Sequence, residues 1–236
     1  MKTTPQNPSA TILEALKTDG YAYVKQPLSL NEFELISKSI GTIELKTDIK
    51  IDPDQVRLQN QARTTGGRPS TYQAEALDFH SDNPRINVLA WYCLEQDEVD
   101  GALYLVDTDS VAEYLSQDEL EILTRTYVMY AHYRAGSNKE ELLKEPVLTA
   151  VGARYRVSYQ SWLLLDKYTE EQTAALNRFS DYIREMQKTS RIRVRLEKQQ
   201  SVFIDNRRLL HGRDSLPPDS KRHLIRLYLR TPDLQT

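Results

Sequence analysis

The segment "INVLAWYCL", Ile86 to Leu94, constrains this chain more than any other. It carries no charged side chain, yet it is far shorter than the roughly 18 to 20 apolar residues of a membrane span. No other segment approaches that length either. A short apolar run rich in aromatic and branched residues reads as a strand core covered on both faces. Just before it, "FHSDNP" places His80 and Asp82 one residue apart at the mouth of the strand. Either the pair caps a loop, or it holds something that neither residue could hold alone.

The rest of the chain supplies the setting. "SATILEALKTDGYAYVK" reads as a capped helix, a glycine stop and a short strand. "SLNEFELISKSIG" is a second helix, with Ser29 near its N-cap and Gly41 as its stop. "GTIELKTDIKI" and "VRLQNQ" have strand character. "ARTTGGRPSTYQAEALDF" has no period and contains Gly66, Gly67 and Pro69, which makes it a loop; residues 62–75 read as a lid. "DGALYLVDT" is a turn and a strand. "DSVAEYLSQDELEILTRT" is helical, with Ser116 and Glu119 spaced as a capping box. "YVMYAHYRA", "EPVLTAVG" and "ARYRVSYQ" are strand-like. "TEEQTAALNRFSDYIREMQ" is the strongest helix, capped by Thr169, with an apolar stripe of Ala174, Leu176, Phe179, Ile183 and Met186. "RIRVRLEK", "QSVFIDN" and "RHLIRLYLR" close the chain as three strands. This order gives one α+β domain, residues 1–236, around a predominantly antiparallel sheet. No alternation of strand, helix and strand points to a doubly wound fold.

Charge and cysteine usage exclude several classes. The formal charge of −3 argues against nucleic acid as a main partner. The basic-looking "SRIRVRLEK" alternates, with Arg191, Arg193 and Arg195 on one face and Ile192, Val194 and Leu196 on the other. That is a half-buried strand with a solvated outer face. Cys93 is the only cysteine, so no intrachain disulfide forms. "MKTTPQNPSATILEAL" lacks the apolar core of a secretory signal. A reducing cytoplasm is the expected location. Fourteen tyrosines against eight glycines fit a packed domain with few flexible linkers.

The histidines are His80, His132, His211 and His223. His80 and Asp82 stand at i and i+2, a spacing that aims both side chains to one side of an extended segment. Two ligands hold a labile divalent ion poorly, so a third is needed. His211, just past the strand in "VFIDNRRLLHGRDSL", could return to the same pocket. His132, inside a strand-like run, reads as a structural histidine. Two imidazoles and a carboxylate on one face of a metal leave three positions open, the arrangement of non-heme Fe(II) oxygenases. The HxD pair alone is a weak signal, because such pairs often cap loops. In "RHLIRLYLR", Arg222, Leu224, Arg226, Tyr228 and Arg230 share one face, and His223, Ile225, Leu227 and Leu229 share the other. Two readings are open. If the arginine face lines an interior, Arg222 and Arg226 are buried cations that ask for anions, and a dicarboxylate answers through bidentate hydrogen bonds. Otherwise the arginines face solvent on an edge strand.

Taken together, His80-x-Asp82, Thr108, His211 and Arg222 resemble the Fe(II)/2-oxoglutarate-dependent dioxygenases of the TauD/TfdA (clavaminate synthase-like) group. "FHSDNP" resembles the first metal motif and "DNRRLLHGRDSL" the second. Arg222 follows His211 by eleven residues and Arg226 by fifteen, as in that family. The resemblance spans about Leu77 to Arg230. It implies a double-stranded β-helix (jelly-roll, cupin-like) core with flanking helices. It implies that His80, Asp82 and His211 bind Fe(II) and form the catalytic centre. Arg222 then pairs with the distal carboxylate of 2-oxoglutarate, and Thr108 adds a hydrogen bond. Arg226 corresponds to a position that meets the acidic group of the primary substrate. Halogenating relatives lack the carboxylate that Asp82 retains, so hydroxylation is the default outcome.

The implied activity consumes O2 and 2-oxoglutarate, releases succinate and CO2, and hydroxylates an unactivated C–H bond. The expected substrate is a small polar metabolite such as an amino acid or derivative. Besides Arg226, Asn83 and Glu75 are candidate substrate contacts; solvation of the loop is the alternative reading for both. Neither a nucleic acid nor a membrane is expected as partner. Desaturation, epoxidation or cyclisation on the same iron, and a non-catalytic ligand-binding jelly roll, are the competing readings.

Overall fold

The computed structural model describes residues 7–50, 76–99, 101–133, 140–161, 167–189, 191–217 and 219–234; for 130–133, 140–142 and 233 it describes the backbone. The strand expected at "VRLQNQ", the loop 62–75 and Glu75 lie outside the described residues.

Two antiparallel sheets carry the fold. The first has five strands in the order β1 (Tyr21–Val24), β11 (Ser201–Asp205), β4 (Val88–Glu95), β13 (His223–Arg230) and β2 (Thr42–Lys50). The second has four, in the order β10 (Ile192–Val194), β5 (Leu103–Asp107), β12 (Leu209–Arg213) and β3 (Leu77–His80). The remaining strands form two hairpins, β6 (Tyr127–Tyr133) with β7 (Glu140–Pro146) and β8 (Leu148–Val151) with β9 (Arg154–Val157). The α+β expectation holds, with every pairing antiparallel.

The apolar run sits at the centre of the five-stranded sheet, and its two faces feed two different cores. Leu89, Trp91 and Cys93 pack inward with Val202, Ile204, Leu224, Leu105 and Leu209, which joins the two sheets face to face. Val88, Ala90 and Tyr92 pack outward with Ile225, Leu227 and Leu229. That outer face is covered by α1 (Pro8–Thr18) and α2 (Leu30–Ile40) through Ile12, Leu16, Phe33 and Ile40. β13 therefore turns its apolar face to the helices and its arginine face to the space between the sheets. Of the two readings left open for this strand, the interior one is correct.

The back of the four-stranded sheet is closed by α5 (Glu170–Thr189), with α3 (Val111–Tyr114) and α4 (Gln117–Thr124) beside it. Capping chemistry sets the helix starts: Ser29 with Glu32, and Ser116 with Glu119, form complete capping boxes. Thr169 Oγ1 accepts from Gln172 N–H at 3.2 Å to open α5. Asn7 caps α1, ahead of Pro8 in its first turn. One expectation shifts by a residue. In α5 the buried face holds Ala175 and Tyr182, while Ala174 is exposed. The Tyr182 ring, hydroxyl bonded to the Asp107 carbonyl at 3.2 Å, rotates the stripe toward itself.

Phe33 is fully buried, stacked on Tyr92 with ring centroids 5.2 Å apart and tilted against Phe203 at 5.7 Å. Phe33→Ala should cost about 3–5 kcal/mol through lost burial and the cavity left behind. Urea denaturation should register it as a lower midpoint.

Candidate metal centre between the sheets

β3 and β12 bring the two imidazoles together. His80 and His211 are direct register partners, and their rings lie 4.3 Å apart. The pairing depends on Gly212. A Cβ there would stand 2.7 Å from the Leu77 carbonyl oxygen, closer than real packing permits. The missing side chain lets the backbone of β3 close onto β12, and the register shifts between His211 and Arg213.

Asp82 lies beyond the end of β3, in a loop, so strand alternation does not aim it. Asn206 does. Its side-chain oxygen accepts from Asp82 N–H at 2.8 Å, and its amide donates to the Ile86 carbonyl at 2.9 Å. Ser81 is tied in the same way: its N–H donates to the Tyr159 carbonyl at 2.9 Å and its hydroxyl accepts from Tyr159 N–H at 3.0 Å. The carboxylate then points back at both histidines. His80 Nε2 is 3.7 Å from Asp82 Oδ1, and His211 Nε2 is 3.9 Å from Asp82 Oδ2.

The three ligand atoms all lie within 4.8 Å of one another. Bonds of about 2.1 Å at right angles would place neighbouring ligand atoms about 3 Å apart, so this set converges on a single ion. The protonation pattern suits one. His80 Nδ1 lies 2.7 Å from the Asp78 carbonyl, which fixes the proton there and turns the Nε2 lone pair inward. Neither ring nitrogen of His211 has a hydrogen-bond partner, although both are buried. A buried imidazole without partners is costly, and a metal bond answers one of its nitrogens. Burial lowers both histidine pKa values, that of His211 well below its usual range, where the neighbouring His80 adds to the effect of burial. Neutral imidazoles are the ligating form. Burial alone would raise the Asp82 pKa, but Arg226 and the nearby imidazoles outweigh it and hold the carboxyl below its usual value.

The two imidazoles face a small pocket, lined also by Trp91, Leu103, Arg213, Arg222 and Arg226. Trp91 meets the His211 ring edge-on at 5.3 Å. Arg222 is 5% exposed, and its Nε donates to the Gly101 carbonyl at 3.2 Å. Arg226 Nη1 donates to Asp82 Oδ2 at 3.0 Å, and its guanidinium lies over the Tyr228 ring.

His80, Asp82, His211, Arg222 and Arg226 are thus brought together as the sequence leads one to expect. Thr108 is not. It lies just past the end of β5, fully buried, and its hydroxyl donates to the Arg208 carbonyl at 2.6 Å. Arg208 itself is bonded to Asp107 at 2.6 Å. That end of β5 is fastened to the turn before β12, and it is Leu103, at the opposite end, that reaches the cavity. Asn83 serves the turn: its side-chain oxygen accepts from Arg85 N–H at 2.9 Å and its carbonyl from Ile86 N–H at 2.9 Å. His132 sits on β6, with its side chain outside the described residues. Asn206, Ser81, Gly212 and Arg213 were missed by sequence reasoning. The only available signal was polar or small residues inside otherwise apolar strand ends.

Two imidazoles and one carboxylate in a pocket between antiparallel sheets define a class, the mononuclear non-heme iron oxygenases. Within it, the chain belongs to the taurine catabolism dioxygenase TauD, TfdA family, whose model matches residues 2–228. The enzyme class is that of the Fe(II)/2-oxoglutarate-dependent dioxygenases. No curated protein sequence matches the chain. Among solved structures, asparagine oxygenase in complex with Fe(II), 2S,3S-3-hydroxyasparagine and succinate is similar at 17% identity and TM-score 0.68, covering 94% of this chain and 77% of that one. The non-heme iron oxygenase OrfP is similar at 13% identity and TM-score 0.70, covering 96% of this chain and 81% of that one. At these identities the likeness is one of fold. No helix among the described residues is long and apolar enough to cross a membrane.

Gly212→Ala should push β3 away from β12 and weaken divalent-metal affinity on the order of tenfold or more, as loss of a ligand's support does elsewhere. Calorimetric titration with Fe(II) under anaerobic conditions measures it.

Proposed function

We propose that this chain hydroxylates a C–H bond of an amino acid or a closely related small polar metabolite, with 2-oxoglutarate as cosubstrate and Fe(II) held by His80, Asp82 and His211. The observation that carries this reading is the convergence of three ligand atoms, two of whose imidazoles line the same pocket as the buried Arg222. In this reading the paired sheets are the double-stranded β-helix of the family. When bound, the iron and 2-oxoglutarate supply the oxidising chemistry that activates O2, releasing succinate and CO2.

The protein's own residues supply geometry and charge. His80 and His211 offer neutral nitrogens, and Asp82 offers one oxygen while Arg226 holds the other. A metal ion held by these three residues alone would keep room for the cosubstrate. Arg222 meets the distal carboxylate of 2-oxoglutarate, where low exposure strengthens a charge-assisted hydrogen bond. Trp91 and Leu103 line the same space with apolar surface and keep water from it. The substrate must then present one C–H bond within reach of the metal.

The amino-acid reading draws on the two similar structures, solved with hydroxyasparagine and, for OrfP, with (3S)-hydroxy-L-Arg. Arg226 supports it from within the chain. A guanidinium carries five donors, so bonding Asp82 is compatible with meeting a substrate carboxylate as well. Asn83 and Glu75 are further candidate contacts, from the turn after Asp82 and from the segment before β3.

Anaerobic addition of Fe(II) and 2-oxoglutarate should produce a weak visible charge-transfer band, and Asp82→Ala should abolish it. With O2 admitted, a screen of free amino acids should find one that raises succinate release above the uncoupled background. If the wild-type chain gave neither band nor succinate, the reading would fall.

A further inference from the structure

The five-stranded sheet ends at β2. This strand pairs with β13 along one edge, and among the described residues no strand pairs with its other edge. Leu45, in its middle, is 52% exposed, and Leu35 of the neighbouring α2 is 56% exposed. Two of the three exposed large apolar side chains among the described residues therefore stand beside one strand edge, the third being Val99. An edge strand offers its outward N–H and C=O groups to any extended chain, and proteins blunt such edges with lysines, prolines or bulges. β2 does bulge at Glu44, where the register steps from Tyr228–Leu45 to Leu229–Ile43. Residues 45–50 keep regular pairing beyond it.

The charges on that regular stretch alternate in sign along one face. Opposite Leu227, Ile225 and His223, Lys46, Asp48 and Lys50 lie on the side covered by the helices. Opposite Tyr228, Arg226 and Leu224, Leu45, Thr47 and Ile49 lie on the inner side. A second copy laid antiparallel on this edge, with Thr47 against Thr47, sets Lys46 of each copy against Asp48 of the other. Directly opposed residues of unlike charge stabilise a strand pair, and like charges destabilise it. Registers that keep both helix-covered faces on one side differ by steps of two residues. One step one way sets Lys46 against Lys46. One step the other way sets Asp48 against Asp48 and Lys46 against Lys50. Only the register centred on Thr47 opposes unlike charges throughout. Within the chain, Lys46 Nζ donates to Glu34 Oε1 and His223 Nε2 lies against Asp48 Oδ1, each at 2.6 Å. Lys46 and Asp48 are nevertheless both exposed, and solvated pairs of this kind contribute little by themselves.

We infer that this chain forms a homodimer through its β2 edges, antiparallel about Thr47, which joins the two five-stranded sheets into one across a two-fold axis. The same register sets Leu45 of each copy beside Ile49 of the other. Ile49 lines the pocket that holds Arg222, so each copy adds apolar cover next to the other's site. The inference stands apart from the cosubstrate reading, because the seam needs neither metal nor oxo acid.

Sedimentation equilibrium of the full chain tests it. Wild type should pass from monomer to dimer as concentration rises to about 100 µM. Lys46→Glu opposes two acidic side chains on each half of the seam, and Asp48→Lys opposes two lysines. Each should weaken the dimer about tenfold or more. Mixed in equal amounts, the two variants should associate to within about threefold of wild type. In the mixture the introduced glutamate meets the introduced lysine, and Asp48 of one copy meets Lys46 of the other. Mixing does not restore the lost contacts to Glu34 and His223, so the recovery reads the cross-copy pairing alone. Thermal unfolding confirms that each variant is folded. If either is not, the double variant Lys46→Glu/Asp48→Lys decides, since it should dimerise on its own. The inference is overturned if wild type stays monomeric over the whole range, or if the mixed variants or the double variant fail to associate. A dimer that neither single variant weakens overturns it as well, by placing the interface on another surface.

Discussion

The contact on which the site depends is the close approach of β3 to β12 across Gly212. No side chain could occupy that position without displacing the Leu77 carbonyl. Because it is empty, His80 and His211 face one another as register partners, each on a different strand of the same sheet. A strand pair is a stiff support, since both backbones are held by ladder hydrogen bonds and by core side chains on each side. Leu209 packs into the inter-sheet core and Leu210 into the helical core behind it. The imidazole at the next position is therefore fixed in height and direction by packing that has nothing to do with chemistry.

Asp82 is held by a different device. It belongs to no strand, so its aim comes from hydrogen bonds. Asn206 ties the loop to the turn before β12, and Arg226 draws one carboxylate oxygen toward β13. A carboxylate with one oxygen bonded to a guanidinium presents the other to a metal. The ion pair also offsets the cost of burying the carboxylate charge, which desolvation alone would neutralise by raising its pKa.

Period-2 patterning was enough to read the two strands that matter most. The unbroken apolar run of β4 meant burial on both faces, and the alternation of β13 separated an arginine face from a leucine face. The candidate metal ligands were legible because His80-x-Asp82 and His211 stand, with Arg222 and Arg226, in the order and spacing of the family they resemble. Thr108 misled because its identity and its place after a strand matched the resemblance, while sequence carries no information on which end of β5 enters the cavity. Pairing with β12 decides that, and it puts Leu103 there. The roles of Asn206 and Gly212 were hidden for a related reason. Each acts through a partner far away in the chain, and only the folded register brings them together. Arg213 was invisible as a site residue because β12 departs from regular pairing at that point, so simple alternation could not assign its direction.

β13 links the parts of the site mechanically. Arg222, Arg226 and Tyr228 lie along one face of this strand, or at its start, and pairing with β4 on one side and β2 on the other holds its register. Asp97 anchors the turn that leads into it, accepting from Lys221 N–H at 2.8 Å. The opposite face is packed against α1 and α2 by Ile225, Leu227 and Leu229. A shift of β13 would thus move the guanidinium proposed to meet the cosubstrate and the one that orients Asp82 in the same direction. The proposed cosubstrate contact and the alignment of the candidate metal ligand are carried by one rigid element, and the apolar side chains on its far face are what keep the two in step.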